Sequence, residues 1–167
     1  MKLPDIRSIY ALPGGRRLIS RGIGFVAPYS GSIGARVESL SDGQARLRMP
    51  DKRANRNHLN SIHACALSTL AETTAGLSVL YSLPADMRGI AVYLGVDYHA
   101  KARGPIVASA RWAVPASGEQ VETKTMPADA QAKAAVLWRA WHAEDLITDQ
   151  VEATTESTVE QEEPMPG

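Results

Sequence analysis

The sequence predicts an α+β fold in which one long central helix is wrapped by a curled antiparallel sheet of five to six strands. Three observations carry that expectation. Leu59, Ile62, Ala66, Leu70, Thr74, Leu77 and Leu80 recur at steps of three and four, a single apolar stripe with the period of a helix about 20 residues long. Four strand-like runs follow it, separated by short turn signals. Two short runs of alternating apolar and charged residues precede it.

Taken in order, the first 32 residues are punctuated by Gly14-Gly15, Gly22, Gly24, Pro28 and Gly31, which allows short pieces but no long element, so this segment is a lead-in packed over the core. A domain over residues 33–142 then opens with Ala35-Arg36-Val37-Glu38 and Ala45-Arg46-Leu47-Arg48-Met49 around the turn Ser41-Asp42-Gly43, a half-buried hairpin or one long bulged strand that Pro50 ends. Residues 51–57 are polar and read as a loop. The helix enters near His58 with Asn60 or Ser61 as its cap and closes at Leu83-Pro84. Its second face carries Ser68, Thr69, Glu72, Thr73 and Gly76, and a helical glycine costs ~1 kcal/mol relative to Ala, which suggests a close approach there. The later strands are expected over Gly89–Ala100, Ile106–Pro115, Glu119–Met126 and Ala132–His142, with turns at Arg103-Gly104-Pro105, Ser117-Gly118 and Ala128-Asp129. The last run is rich in alanine, but the alternation of Val136, Trp138 and Ala140 with Leu137, Arg139 and Trp141 favours a strand.

Composition narrows the function. In 167 residues the net charge is zero and aromatics make up 5%, which argues against nucleic acid and against a base-stacking platform. The zero hides an asymmetry. All 18 Lys and Arg lie at or before Arg139, whereas 8 of the 18 acidic residues lie from Glu144 onward, so the body carries +8 and the tail −8. Residues 143–167 are read as an acidic, disordered extension. The single cysteine, Cys65, rules out an internal disulfide, and with no secretory pattern near Met1 the expected location is the cytoplasm. Ile62–Leu83 is too polar to span a membrane, since it holds His63 and Glu72. No metal or cofactor is expected, because His58 and His63 stand five apart, about 140° around a helix, and no HExxH pattern occurs.

The densest polar cluster is Arg56-Asn57-His58-Leu59-Asn60-Ser61-Ile62-His63-Ala64-Cys65, leading into a helix that carries Glu72. A helix N-terminus offers unpaired N–H groups and a favourable dipole to a developing oxyanion, and a buried carboxylate gains basicity. Together they point to acyl transfer or hydration. Each residue also has a plainer reading: Glu72 as a solvated side chain or ion-pair partner, His63 as a capping or core histidine, Cys65 as a small buried apolar thiol.

The stretch Asn57 to Leu77, NHLNSIHACALSTLAETTAGL, resembles the helix-entry signature of the hotdog-fold acyl-CoA thioesterase superfamily, in which an Asn or Gln is followed by His-Gly-Gly and then, nine residues after the His, by Asp or Glu. Asn57, His63 and Glu72 match in type and spacing. Ala27-Pro28-Tyr29 and Asp97-Tyr98-His99-Ala100-Lys101-Ala102-Arg103-Gly104 further resemble an uncharacterised, thioesterase-like branch of that superfamily. The resemblance implies Glu72 as nucleophile or general base, the Ala64 N–H as the group polarising the thioester carbonyl, and Asn57 and His63 beside them. It also implies a homodimer, possibly a tetramer, with the site between chains. His58, Asn60, Cys65, Ser68, Thr69 and Thr73 would line the substrate, an acyl-CoA or acyl-carrier thioester, and Lys101 and Arg103 would meet phosphates. Two positions depart from the pattern: His-Gly-Gly stands as His63-Ala64-Cys65, and a usual glycine is Asn60.

Three readings follow. The first is an acyl thioester hydrolase. The second, favoured by the missing glycines, is a non-catalytic acyl-thioester binding or regulatory protein, since losing one oxyanion donor costs ~3 kcal/mol of transition-state stabilisation. The third is a 3-hydroxyacyl-thioester dehydratase pairing His58 with Glu72 fourteen residues on, although the Pro-Gly helix entry of such enzymes is missing.

Overall fold

The computed structural model describes residues 5–84, 87–111, 120–127 and 132–142. Three helices lead the chain: α1 (Ile6–Ala11), α2 (Gly15–Val26) and α3 (Pro28–Ser32). The expectation of no long element here is corrected, because α2 runs twelve residues through Gly22 and Gly24. The cost of Gly24 is offset by packing: a Cβ on Gly31 of α3 would collide with the Gly24 backbone, so the helices cross where neither has a side chain, whereas Gly22 faces open space.

The hairpin forms as β1 (Arg36–Ser41) and β2 (Gln44–Met49), with a bulge between Val37 and Ser39 and Gly43 at φ 66° in the turn. Alternation buries Val37 and Leu40 on one strand and Ala45, Leu47 and Met49 on the other. The outer edge of β1 is covered by the lead-in. The Ser20 hydroxyl accepts from Val37 N at 2.9 Å, Arg16 donates to the Glu38 carbonyl at 3.1 Å, and the Tyr10 hydroxyl accepts from Leu40 N at 3.2 Å. Backbone groups that would template another strand are thereby satisfied.

After a 3₁₀ turn at Arg53–Asn55, the long helix α4 spans Ala64–Ser82 and ends at Leu83 as expected, but it starts later than the apolar stripe implies. Leu59 lies outside it and is 52% exposed, and the cap is His63 rather than Asn60 or Ser61. Much of α4 is buried despite its many hydroxyls, because they bond back to its own carbonyls: Thr69 to Cys65, Thr74 to Leu70, Ser78 to Ala75 and Ser82 to Ser78, at 2.6–2.8 Å. Gly76 is buried on this helix.

The sheet continues with β3 (Met87–Tyr98), β4 (Ile106–Arg111), β5 (Gln120–Pro127) and β6 (Ala132–His142), in the order β1-β2-β4-β5-β6-β3, every pair antiparallel. The alanine-rich run is a strand. β3 and β4, expected to pair through their short connection, do not: the chain crosses at Gly104 (φ 74°) and β3 pairs with β6 at the far edge. Helix α4 lies against all six strands, with Leu47, Met49, Leu70 and Ile106 at the centre of the core. The expected turns at Ser117-Gly118 and Ala128-Asp129 and the acidic tail lie outside the described residues. Among the described residues no helix is long and apolar enough to cross a membrane.

Candidate active site at the entry of the long helix

The loop before α4 is tied down by a network of polar contacts and by Ile62, which is buried in the core. Asp51 accepts from the Arg56 guanidinium at 2.6 Å and from Gly104 N at 2.9 Å, and the Arg56 bond, aided by the Gly104 N–H, holds its carboxyl below the ordinary carboxylate range. Arg56 also donates to the Asn60 side-chain oxygen at 3.0 Å. Asn60 sits at φ 53°, among the described residues the one non-glycine in the left-handed region, which Asn tolerates better than other side chains. Its backbone holds the left-handed conformation that glycine adopts most readily.

Asn57 closes the same turn. Its side-chain oxygen accepts from Leu59 N at 2.9 Å, Ser61 N at 3.2 Å and the Ser61 hydroxyl at 3.1 Å. That oxygen is saturated by its own loop, and among the described residues the amide N–H₂ has no partner. Ile62 N then donates to the Ala102 carbonyl at 2.8 Å, fixing the 99–105 connection against the helix entry. Lys101 and Arg103 flank the buried Ala102 and are both exposed, so this bond brings the two cations beside the loop. They follow β3 rather than ending it, since the strand stops at Tyr98. His58 is exposed at the loop tip.

At the first turn of α4 the backbone N–H groups have unequal fates, Leu67 N making the first regular helix bond and those before it needing other partners. Ala66 N and Leu67 N reach the His63 carbonyl at 2.9 and 3.2 Å, and Cys65 N donates to Nδ1 of His63 at 3.1 Å. Ala64 N has no partner among the described residues, and Ala64 is exposed. His63 is thus a helix cap, held in turn by its N–H on the Asn55 carbonyl at 2.8 Å. The thiol of Cys65, expected to be buried, is exposed: with the helix starting at Ala64, Cys65 falls on the open side of its first turn. A shallow cavity of about 230 Å³ opens beside His63, Cys65 and Thr69, walled by Tyr29, Ile33 and Asn55.

Glu72 lies two turns into α4, on the stripe of Cys65 and Ser68, which stand seven and four residues before it. It is half-buried, and burial pushes its carboxyl above the ordinary value of 4.5, the Thr73 hydroxyl acting weakly the other way from 3.5 Å. No ion pair reaches it among the described residues, so a structural salt bridge does not account for it. Thr73 is itself buried, as is Thr69. Ser68 is half-buried and shares a 2.5 Å hydrogen bond with Tyr98, whose hydroxyl also donates to the Ala64 carbonyl at 3.2 Å.

Tyr98 is the residue that sequence reasoning passed over, because only the packing of β3 across α4 brings it to the helix entry. Asn55 is another. Buried at 3% exposure, it donates to the Ile33 and Pro50 carbonyls at 2.9 and 3.1 Å and anchors His63, yet a lone Asn in a polar run carries no signal.

The fold, a long helix lying against an antiparallel sheet, is that of a class of solved structures that includes proteins described as thioesterase-family. A crystal structure described as genomics APC5556 is similar over 82% of this chain and 95% of its own, with 29% identity and a TM-score of 0.71. A Pseudomonas aeruginosa protein of unknown function, described as a probable thioesterase, matches at 29% identity over 78% of this chain and 97% of its own, TM-score 0.62. A thioesterase family protein from Silicibacter pomeroyi shares the fold at 18% identity, 77% and 99% coverage and a TM-score of 0.65. Within that class the chain belongs to the family described as a domain of unknown function (DUF4442), which matches residues 15–141. A Halobacterium salinarum protein whose name includes the word esterase is 35% identical over 83 residues, 47% of this chain; the match spans 55% of that relative's length.

Proposed function

We propose that the protein hydrolyses acyl thioesters, with acyl-CoA as substrate, at a site shared by two copies of the chain. One observation carries the reading: a half-buried carboxylate with raised affinity for protons, Glu72, sits on the same helix as an exposed N–H without a partner among the described residues, that of Ala64. Both must lie about 3 Å from one reacting centre to act together. Within a single chain they are eight residues apart, ~12 Å of helical rise, which one thioester carbonyl does not span. Each site therefore takes Glu72 from one copy and the helix entry from the other.

In this scheme the carbonyl oxygen accepts from Ala64 N–H at the positive end of α4, where negative charge developing on it is stabilised. Glu72 removes a proton from water as the water's oxygen bonds to the carbonyl carbon. Collapse of the tetrahedral intermediate breaks the C–S bond, giving the free acid, and the thiolate leaves to take up a proton. The Asn57 amide N–H₂ orients the water or the thioester, while His63 acts by shaping the first turn. Cys65, Ser68, Thr69 and Thr73, with His58 and Asn60 at the entry, border the acyl portion. Lys101 and Arg103, fixed beside the entry by the Ala102 bond, meet phosphate groups. The open edge of β3 supports the dimer: Ile90, Val92, Tyr93, Leu94 and Tyr98 on it are 40–56% exposed, whereas the β1 edge is covered.

Thiol release from short, medium, long and aryl acyl-CoAs tests the reading. Turnover by the wild-type chain is expected to fall about 100-fold or more in Glu72→Gln. Substrate binding without turnover in either chain would instead make it a binding protein, and an absorbance change without thiol would make it a dehydratase.

A further inference from the structure

Away from the helix entry, an open groove of about 1140 Å³ runs between α2 and the start of β1. Arg16, Arg17 and Arg21 line one side and Arg36 the other, with Ser20 and Val37 between them and no acidic residue on the wall. Arg16 spends one N–H on the Glu38 carbonyl. Arg17, Arg21 and Arg36 have no carboxylate partner among the described residues, and the nearby Glu38 is taken by Arg46 and Arg48 at 2.8 and 2.5 Å. Arg36 stands opposite Arg48 in the hairpin register, so the strand pair concentrates like charge rather than cancelling it. Guanidiniums gathered in a groove without counter-charge form a field suited to an extended polyanion.

The geometry points to the chain's own acidic C-terminal segment, Glu144–Glu163, as the occupant of this groove. Charge complementarity is the first argument: this segment carries the −8 that balances the +8 of the body, and it holds no Lys or Arg. Reach is the second. The described chain ends on β6, four strands across the sheet from β1, or roughly 20 Å at ~4.8 Å per strand. The 21 residues from His142 to Glu163 extend to ~70 Å and, even as a flexible coil, average about 25 Å end to end. Tethering at that range gives an effective concentration in the millimolar range, at which a modest charge-driven contact forms within the molecule. The groove is thereby neutralised, and anionic ligands compete with the tail for it.

The test uses the full chain labelled with ¹⁵N. Glu152, Glu156, Glu160, Glu162 and Glu163 are all changed to Gln, which leaves the body sequence untouched. At low salt the amides of Arg16–Arg21 and Arg36 are expected to shift between wild type and this variant, and the difference should collapse at high salt. Arg17→Ser, Arg21→Ser and Arg36→Ser in combination should move the tail amides toward their high-salt positions. Shifts that are absent, that fall elsewhere on the body, or that persist at high salt overturn the inference. So does a result in which inorganic triphosphate moves the groove amides equally in wild type and the neutralised variant, since a tail seated there would have to be displaced first.

Discussion

Glu72 is half-buried without a salt bridge among the described residues, and this has a thermodynamic signature. Burial disfavours its charged form in the folded protein, so its folded pKa lies above the unfolded value. A group raised in this way contributes stability that is present below the unfolded pKa and lost as pH rises through the folded one. Glu72→Gln removes that loss. The variant should be more stable than wild type at neutral pH, and the two should converge below about pH 4; urea titrations across pH measure it. His63 makes a different claim. Its Nδ1 caps the Cys65 N–H, so His63→Ala should cost ~1 kcal/mol in urea unfolding, and His63→Asn or His63→Ser should restore most of it. The spacing of Asn57, His63 and Glu72 was legible in the sequence because it is local to one loop and one helix. The exposure of Cys65 and the arrival of Tyr98 were not. The first turned on a helix start displaced to Ala64, and the second on a contact 34 residues away in the chain.

Among the elements, the pair α2–α3 gives the sharpest contrast between two glycines. A side chain on Gly31 meets the Gly24 backbone, so Gly31→Ala should push the helices apart and cost ~1–3 kcal/mol. Gly22, inside α2 with nothing within 4 Å of a Cβ, should accept alanine and gain ~0.5–1 kcal/mol from helix propensity. Thermal unfolding of both variants checks the opposite signs. The hairpin and the long helix were readable from periodicity, because alternating residues and a three-to-four step mark them locally, and the alternation in the alanine-rich run pointed to the strand that forms there. The twelve-residue α2 was not, because its glycines look like turn signals until α3 is seen crossing them. Nor was the pairing of β3 with β6, which short connections disguise: local spacing names the strands, whereas the curl around α4 decides which ones meet.

For the whole molecule, one sheet edge is covered by the lead-in helices, and the other, β3, has no strand beyond it among the described residues and exposes apolar side chains. The proposed dimer would extend the sheet through β3, and sedimentation tests it: the wild-type chain should run as a dimer, with Val92→Lys and Leu94→Lys together shifting it to monomer. If the proposed site is shared between copies, activity should fall with the dimer, since within one chain Glu72 and the Ala64 N–H stand eight residues apart on one helix. The arginine groove between α2 and β1 is lined by none of the residues proposed for this site, so neutralising the tail's charge is expected to leave the dimer intact. The central claim concerns the carboxylate. It is tested most directly by kcat/KM for thiol release from the best acyl-CoA, with wild type and Glu72→Gln followed side by side from acidic to neutral pH. The wild-type rate should rise with pH as a carboxylate of raised pKa ionises, and the Glu72→Gln rate should be lower by about 100-fold or more. Glu72→Gln turning over at the wild-type rate would contradict the claim.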